Sequence, residues 1–91
     1  MRDRPRYVTI DDVRYEIVWK APPKAMGTCD APWKRGLKEI WIDPRLTGKK
    51  LMDAIIHETA HAANWNIEEH YIAEAATAAA SILWRMGYRL K

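Results

Sequence analysis

The chain has no phenylalanine and only one cysteine, Cys29, among its 91 residues. A single cysteine cannot form an internal disulfide, so the fold cannot depend on the disulfide framework that many small secreted domains use. No apolar run approaches the ~20 residues that a membrane-spanning helix needs. The charged N-terminal segment Met1–Pro5 also lacks the apolar centre of a signal peptide. These absences together predict a cytoplasmic protein that makes no contact with a membrane.

The rest of the composition is typical of a globular protein. Apolar residues make up 48% of the chain, and five tryptophans and four tyrosines supply the bulk that phenylalanine would provide. No linker or repeat divides the sequence, which predicts a single domain over residues 1–91. The net charge of +3 favours a solvated basic surface, with nucleic acid as a weaker alternative partner. A domain this short has a small core, so a bound metal would contribute to its stability.

The first half of the sequence has the character of strands and loops. Tyr7–Ile10 and Arg14–Trp19 are rich in β-branched and aromatic residues, and Asp11–Asp12 between them is a turn signal. The segment Met26–Gly36 is predicted to be an irregular loop. A third strand is predicted at Glu39–Ile42, and the Asp43-Pro44 pair that follows is predicted to end it.

The second half has the period of helices. One helix is predicted to start after Thr47-Gly48 and to run to about Asn64. An alanine-rich second helix is predicted from Ile67 to Met86, with Asn66 as its N-cap. The sum is an α+β fold in which a three-stranded sheet packs on a helical hairpin.

The first predicted helix carries the motif His57-Glu58-Thr59-Ala60-His61. Histidines four apart lie on one face of a helix, where two imidazoles can ligate one tetrahedral zinc ion at ~2.0–2.1 Å. Glu58 is rotated from His57 by ~100°, so it can stay out of the ligand set and act as general base on a zinc-activated water. Asp53 lies one turn before His57 and is a candidate hydrogen-bond partner for its imidazole.

A catalytic zinc needs a third protein ligand and an open position. The candidates on the second helix are Glu74 and His70. If the chain turns near Trp65-Asn66, the lean of side chains toward each helix's own N-terminus brings Glu74 level with the two histidines. The same construction leaves His70 short by ~6 Å. Glu74 is therefore the predicted third ligand, and His70 remains the alternative.

The motif and the Glu74 that follows on an alanine-rich helix resemble the gluzincin branch of zincin metallopeptidases. The length and the strand-then-helix order resemble minimal versions from phages and prokaryotes, grouped with SprT-like or minigluzincin proteins. The resemblance covers roughly residues 37 to 88. It implies a Zn²⁺-dependent hydrolysis of peptide bonds, with a peptide or protein substrate extended along Glu39–Ile42 as the edge strand. The SprT pattern has a histidine as third ligand, which here only His70 could supply.

The sequence also departs from related patterns. Ile67 occupies the position of the third histidine in the metzincin pattern, and no glycine precedes it, so that branch is excluded. Larger gluzincins carry a second subdomain with substrate pockets that has no counterpart in this chain. The alternative function is therefore a metal-stabilised regulatory or binding module on the same scaffold, with little or no proteolytic activity.

Overall fold

A computed structural model describes residues 4–89. Four strands precede two helices along the chain: β1 Tyr7–Ile10, β2 Val13–Val18, β3 Gly27–Cys29, β4 Lys38–Ile42, α1 Gly48–Ala63 and α2 Glu69–Arg85. The predicted α+β class is confirmed, and so is the order of strands before helices.

The sheet has four strands rather than the predicted three. Their order is β1-β2-β4-β3, with β2 and β4 parallel and the two outer pairs antiparallel. The additional strand β3 lies inside the segment that the sequence analysis assigned to a loop. Its three residues include Gly27 and are too few to produce an alternating pattern. Its strand conformation comes from pairing with β4, where Gly27 stands opposite Ile42 and Cys29 opposite Ile40.

The position of β3 also corrects the expected edge strand. The resemblance placed the edge at Glu39–Ile42, but β4 lies between β2 and β3 and is interior. The expectation is wrong because β3 hydrogen-bonds to the side of β4 that would otherwise be open. β3 is therefore an edge strand, and of the two edge strands it packs more extensively beside α1.

The β1–β2 hairpin follows the sequence closely. Asp11 and Asp12 both have positive φ, at 50° and 62°, as the two central residues of a tight hairpin turn require. Aspartate tolerates this conformation better than most residues because its short side chain can hydrogen-bond locally. The turn signal and the two flanking strands are confirmed.

The core lies between one face of the sheet and α1. It is centred on four buried residues, Tyr15, Ile40, Ile42 and Ala62. Within the described residues, α2 packs on α1 and reaches no strand. The two helices run antiparallel, since Gly48 at the start of α1 lies against Trp84 near the end of α2. Neither helix is long and apolar enough to cross a membrane, within residues 4–89.

The connection between the helices is longer than predicted. α1 ends at Ala63, close to the predicted end, but α2 begins at Glu69 and has Glu68 rather than Asn66 as its N-cap. The amide of Ile67 donates to the carbonyl of Asn64, at 3.1 Å, so these residues form a turn of their own. That turn delays the second helix by two residues relative to the prediction.

Candidate metal centre

The two histidines of the motif converge near the C-terminal end of α1. His57 and His61 lie on one face of an uninterrupted helix, and their Nε2 atoms are 3.1 Å apart. Both imidazoles are largely buried. Two ligands of a tetrahedral zinc, each at ~2.0–2.1 Å, are ~3.3–3.4 Å apart, so the observed separation is close to that needed.

The third group at this point is Glu69, the first residue of α2. Its Oε1 lies 2.8 Å from His57 Nε2 and its Oε2 lies 2.5 Å from His61 Nε2. The donor atoms of the three side chains all lie within 4.8 Å of one another. Two imidazoles and one carboxylate form a donor set suited to zinc, and they leave one position of a tetrahedron for water or substrate.

Glu74, the ligand predicted from the sequence, lies elsewhere. It is exposed, on a shallow surface of α2 that includes Thr77, Ala78 and Ser81. The buried side of α2 is formed by Ile72, Ala76 and Ala80. At ~100° per residue, Glu69 points to the same side of α2 as these residues, with its side chain 65% exposed at the end of the helix, whereas Glu74 lies about 160° from the centre of that side. Position along the helix axis brings Glu74 level with the histidines, but rotation around the axis turns its side chain away from them.

His70, the alternative ligand, is also exposed and makes contacts outside the cluster. Its Nδ1 lies 3.4 Å from an Oε2 of Glu68, and its ring stacks on Tyr71 with centroids 4.0 Å apart. Among the described residues, the group that could hold a metal contains neither His70 nor Glu74. The sequence signal that could have found Glu69 is its place on the apolar stripe of α2.

Glu58 lies on the side of α1 that packs against β3. It is only 7% exposed, and a Cβ placed on Gly27 would be 2.9 Å from its Cγ. Burial raises the pKa of Glu58; His57 and His61 act in the opposite direction, and Glu69 acts with burial. The carboxyl therefore sits in a poorly solvated environment beside the histidine pair.

A cleft of about 200 Å³ joins these groups. It is lined by the strand-side residues Ala25, Met26 and Gly27 and by the helix residues Asp53, Ala54, His57, Glu58 and Glu69. Asp53, expected as a partner of His57, instead accepts a hydrogen bond from the hydroxyl of Thr77 at 2.8 Å. This hydrogen bond links α1 to α2, and Asp53 also lines the cleft.

Two tryptophans border the cluster on another side. The ring of Trp65 meets His61 edge-on with centroids 6.4 Å apart, and Trp33 meets Trp65 at 5.7 Å and 82°. Trp33 is 66% exposed. This aromatic pair joins two loops that are distant in the sequence, and no local pattern predicts their contact.

Cys29 is not part of the cluster. Its thiol donates to the carbonyl of Asp30, at 3.3 Å. Burial is the largest of the causes that raise the pKa of Cys29 to about 12. The side chain is therefore a protonated thiol at neutral pH.

Comparison of the chain with protein-family models, with curated proteins and with solved structures gives no match.

Proposed function

We propose that the protein is a zinc-dependent metallopeptidase in which His57, His61 and Glu69 hold the metal and Glu58 is the general base. The observation that carries the proposal is the convergence of two imidazoles and one carboxylate on a single point, within 4.8 Å of one another. Glu69 takes the place that the sequence analysis gave to Glu74. The gluzincin-like arrangement of His, His and Glu is retained, with the glutamate at the start of the following helix rather than inside it.

In the proposed hydrolysis of a peptide bond, the cluster binds the metal and Glu58 transfers the proton. A zinc ion held by His57, His61 and Glu69 would supply a Lewis acid that lowers the pKa of water toward ~7 and polarises the substrate carbonyl. Glu58 accepts the proton of the attacking water and returns it to the departing amine nitrogen. Burial favours this role because it holds the pKa of Glu58 above its usual range, which brings the acid and base forms closer in energy.

The position of β3 supports a peptide substrate. β3 is an edge strand, and Gly27 brings its backbone against the side chain of Glu58. An extended peptide can add to such an edge through main-chain hydrogen bonds, which would place its carbonyls along the cleft. Because β3 has only three residues, the pairing is short and most of the binding must come from the metal centre and the side chains around it.

Substitution of Glu58 tests the catalytic assignment. We expect Glu58→Gln to keep about one zinc per chain and to abolish hydrolysis of a peptide library, because the amide cannot accept the proton of water. Glu74→Gln is the matched control, since it changes an exposed carboxylate outside the cleft, and it should keep both properties. Retention of hydrolysis in Glu58→Gln would contradict the proposal. A zinc-loaded wild type without any hydrolysis would favour the metal-stabilised module instead.

A second comparison tests the ligand set. We expect Glu69→Gln to weaken zinc binding by about 100-fold or more, because it removes a ligand that contacts the metal. His70→Gln and Glu74→Gln should stay within about threefold of wild type, since both side chains lie outside the cluster. The measurement is competition for zinc with a chelator at one pH. Loss of zinc in Glu74→Gln, with Glu69→Gln unaffected, would restore the original assignment.

A further inference from the structure

One side of α2 is exposed and apolar. Among the described elements α2 packs on α1 alone, so the side turned away from α1 has no partner within residues 4–89. Five exposed residues form this side, here called the outer stripe: Tyr71, Ala75, Ala78, Ile82 and Met86. The three large ones are 59%, 59% and 68% exposed, in that order. Exposed apolar surface that is continuous along a helix is typical of an interface.

The spacing of the outer stripe is that of a helix–helix seam. The intervals of four, three, four and four residues keep all five positions within about 80° around the helix axis. Alanines at the centre of the stripe allow a second helix to approach closely, and larger side chains at both ends can close around it. A stripe of this form fits another helix better than it fits a flat surface or a small ligand.

Two charged residues indicate which helix it fits. Glu74 and Arg85 are both exposed and border the outer stripe on the same side, near its opposite ends. When two copies of α2 pair antiparallel, Glu74 of each copy faces Arg85 of the partner subunit, and the pair occurs twice. A parallel two-fold pairing would set Glu74 and Arg85 of the two copies on opposite borders of the seam, so it would not form these charge pairs.

The apolar residues of the outer stripe also match each other under the two-fold symmetry of an antiparallel pair. A two-fold axis between Ala78 and Ala79 pairs Ala75 with Ile82 of the partner subunit. It likewise brings Tyr71 opposite Met86 of the partner subunit. The centre of the Glu74–Arg85 pair is displaced from this axis by one residue, or about 1.5 Å, which long side chains accommodate.

We propose that the outer stripe of α2 is the interface of a symmetric, antiparallel homodimer. The interface is isologous, since the same surface contributes from each copy. It leaves the metal cluster open, because Glu69 lies about 140° around α2 from the centre of the outer stripe. The 17 residues of α2 extend over about 25 Å, so one helix pair forms a small interface, and we expect dissociation at roughly micromolar concentration.

Sedimentation velocity over a range of concentrations tests the proposal on the whole chain. We expect a monomer–dimer equilibrium in the wild type and an increase of more than about tenfold in the dissociation constant of Ile82→Glu, which buries a carboxylate at the seam. Leu37→Glu is the matched control, because Leu37 is also 59% exposed but lies outside α2. A wild type that stays monomeric to millimolar concentration would overturn the proposal, as would equal effects of the two substitutions.

Exchange of the two charges tests the antiparallel geometry. Glu74→Arg and Arg85→Glu each turn two attractive pairs into two repulsive ones, so each should weaken the dimer by about tenfold. The double variant restores opposite charges and should return to within about threefold of the wild type. Circular dichroism establishes that all three variants are folded. Failure of the double variant to recover would overturn the antiparallel pairing.

Zinc content separates this proposal from the proposed function. Glu69→Gln should lose zinc and still dimerise, whereas Ile82→Glu should bind zinc as the wild type does and remain monomeric. Loss of the dimer in Glu69→Gln would show that the outer stripe alone does not form the interface, and would overturn the inference.

Discussion

Gly27 brings the edge of the sheet against the side chain of the proposed base, Glu58. A Cβ at this position would lie 2.9 Å from Glu58 Cγ and 2.9 Å from the backbone oxygen of Trp41. The Glu58 side chain could rotate away, but the Trp41 oxygen belongs to the paired strand β4 and cannot move without disturbing the sheet. Glycine is needed here for close approach rather than for an unusual backbone angle.

Gly27→Ala should therefore lose hydrolysis while it keeps zinc. The added methyl would lie nearest to the Glu58 side chain and the Trp41 oxygen, so it displaces the Glu58 carboxylate before it reaches any proposed ligand. Overpacking of this kind should also lower the free energy of unfolding by about 1–3 kcal/mol. Peptide hydrolysis, zinc content and urea unfolding measure the three effects. Thr28→Ala on the same strand is the control and should be close to wild type. Full hydrolysis in Gly27→Ala would show that Glu58 is not the base.

At the scale of elements, the end of β4 is held by a compact ion pair. Asp43 follows β4 directly, and its carboxylate accepts three hydrogen bonds from Arg45: the backbone N–H at 2.9 Å, Nε at 3.0 Å and Nη2 at 2.8 Å. The Arg45 side chain is the main cause that lowers the pKa of Asp43, and its backbone N–H adds to the effect. The backbone N–H of Asp43 also donates to Met26, at 2.9 Å, so this corner joins the end of β4 to the segment that enters β3.

Arg45→Ala should make stability less dependent on pH in the acid range. A carboxylate whose pKa is lowered on folding stabilises the protein above its unfolded pKa of ~3.9, and the effect disappears as pH falls through the folded pKa. The difference in unfolding free energy between wild type and Arg45→Ala should thus be larger at about pH 6 than at about pH 2.5. Urea unfolding of metal-free protein measures it, since chelation removes the separate pH dependence of zinc binding. A difference that is equal at both pH values would contradict the assignment.

The bounds of most strands and helices could be predicted from the sequence. β1, β2 and α1 were found within one or two residues because each carries its own signal: an aspartate turn between β-branched runs, or a long apolar period. β3 could not be found, because Gly27-Thr28-Cys29 has no strand pattern and depends on β4 for its hydrogen bonds. The start of α2 was missed because Asn66 is a good N-cap in isolation, while the turn closed by Ile67 precedes the helix.

The candidate site was predicted in part for similar reasons. His57, Glu58 and His61 lie on one helix, so their relative placement follows from the helix period alone. The third carboxylate depends on how α2 is rotated against α1. That rotation is set by the burial of Ile72, Ala76 and Ala80, a tertiary property that local spacing does not contain.

At the scale of the whole molecule, the metal should matter for stability. The proposed ligands connect α1 to the first turn of α2, and a ligand that binds only the folded state stabilises it by mass action. Zinc at a free concentration of 100 times its dissociation constant should add about 2.7 kcal/mol, which for a domain of this size raises the midpoint of thermal unfolding by about 10–20 °C.

His57→Ala and His61→Ala should lose this rise, whereas His70→Ala should keep it. Differential scanning calorimetry with and without added zinc measures the midpoint in each variant. The absence of any shift in the wild type would show that the three side chains do not hold zinc in the folded state.

The proposed ligands His57, His61 and Glu69 are also close together along the chain, and this affects the order in which the protein folds. The parallel pairing of β2 with β4 joins segments separated by a long stretch of sequence, so its loop-closure entropy makes it slow to form. The helical hairpin requires only the short connection 64–68. We therefore expect the zinc contacts to be formed already in the folding transition state, and interactions present there accelerate folding more than they retard unfolding. Refolding of this chain should consequently be faster in the presence of zinc, while its unfolding rate changes little.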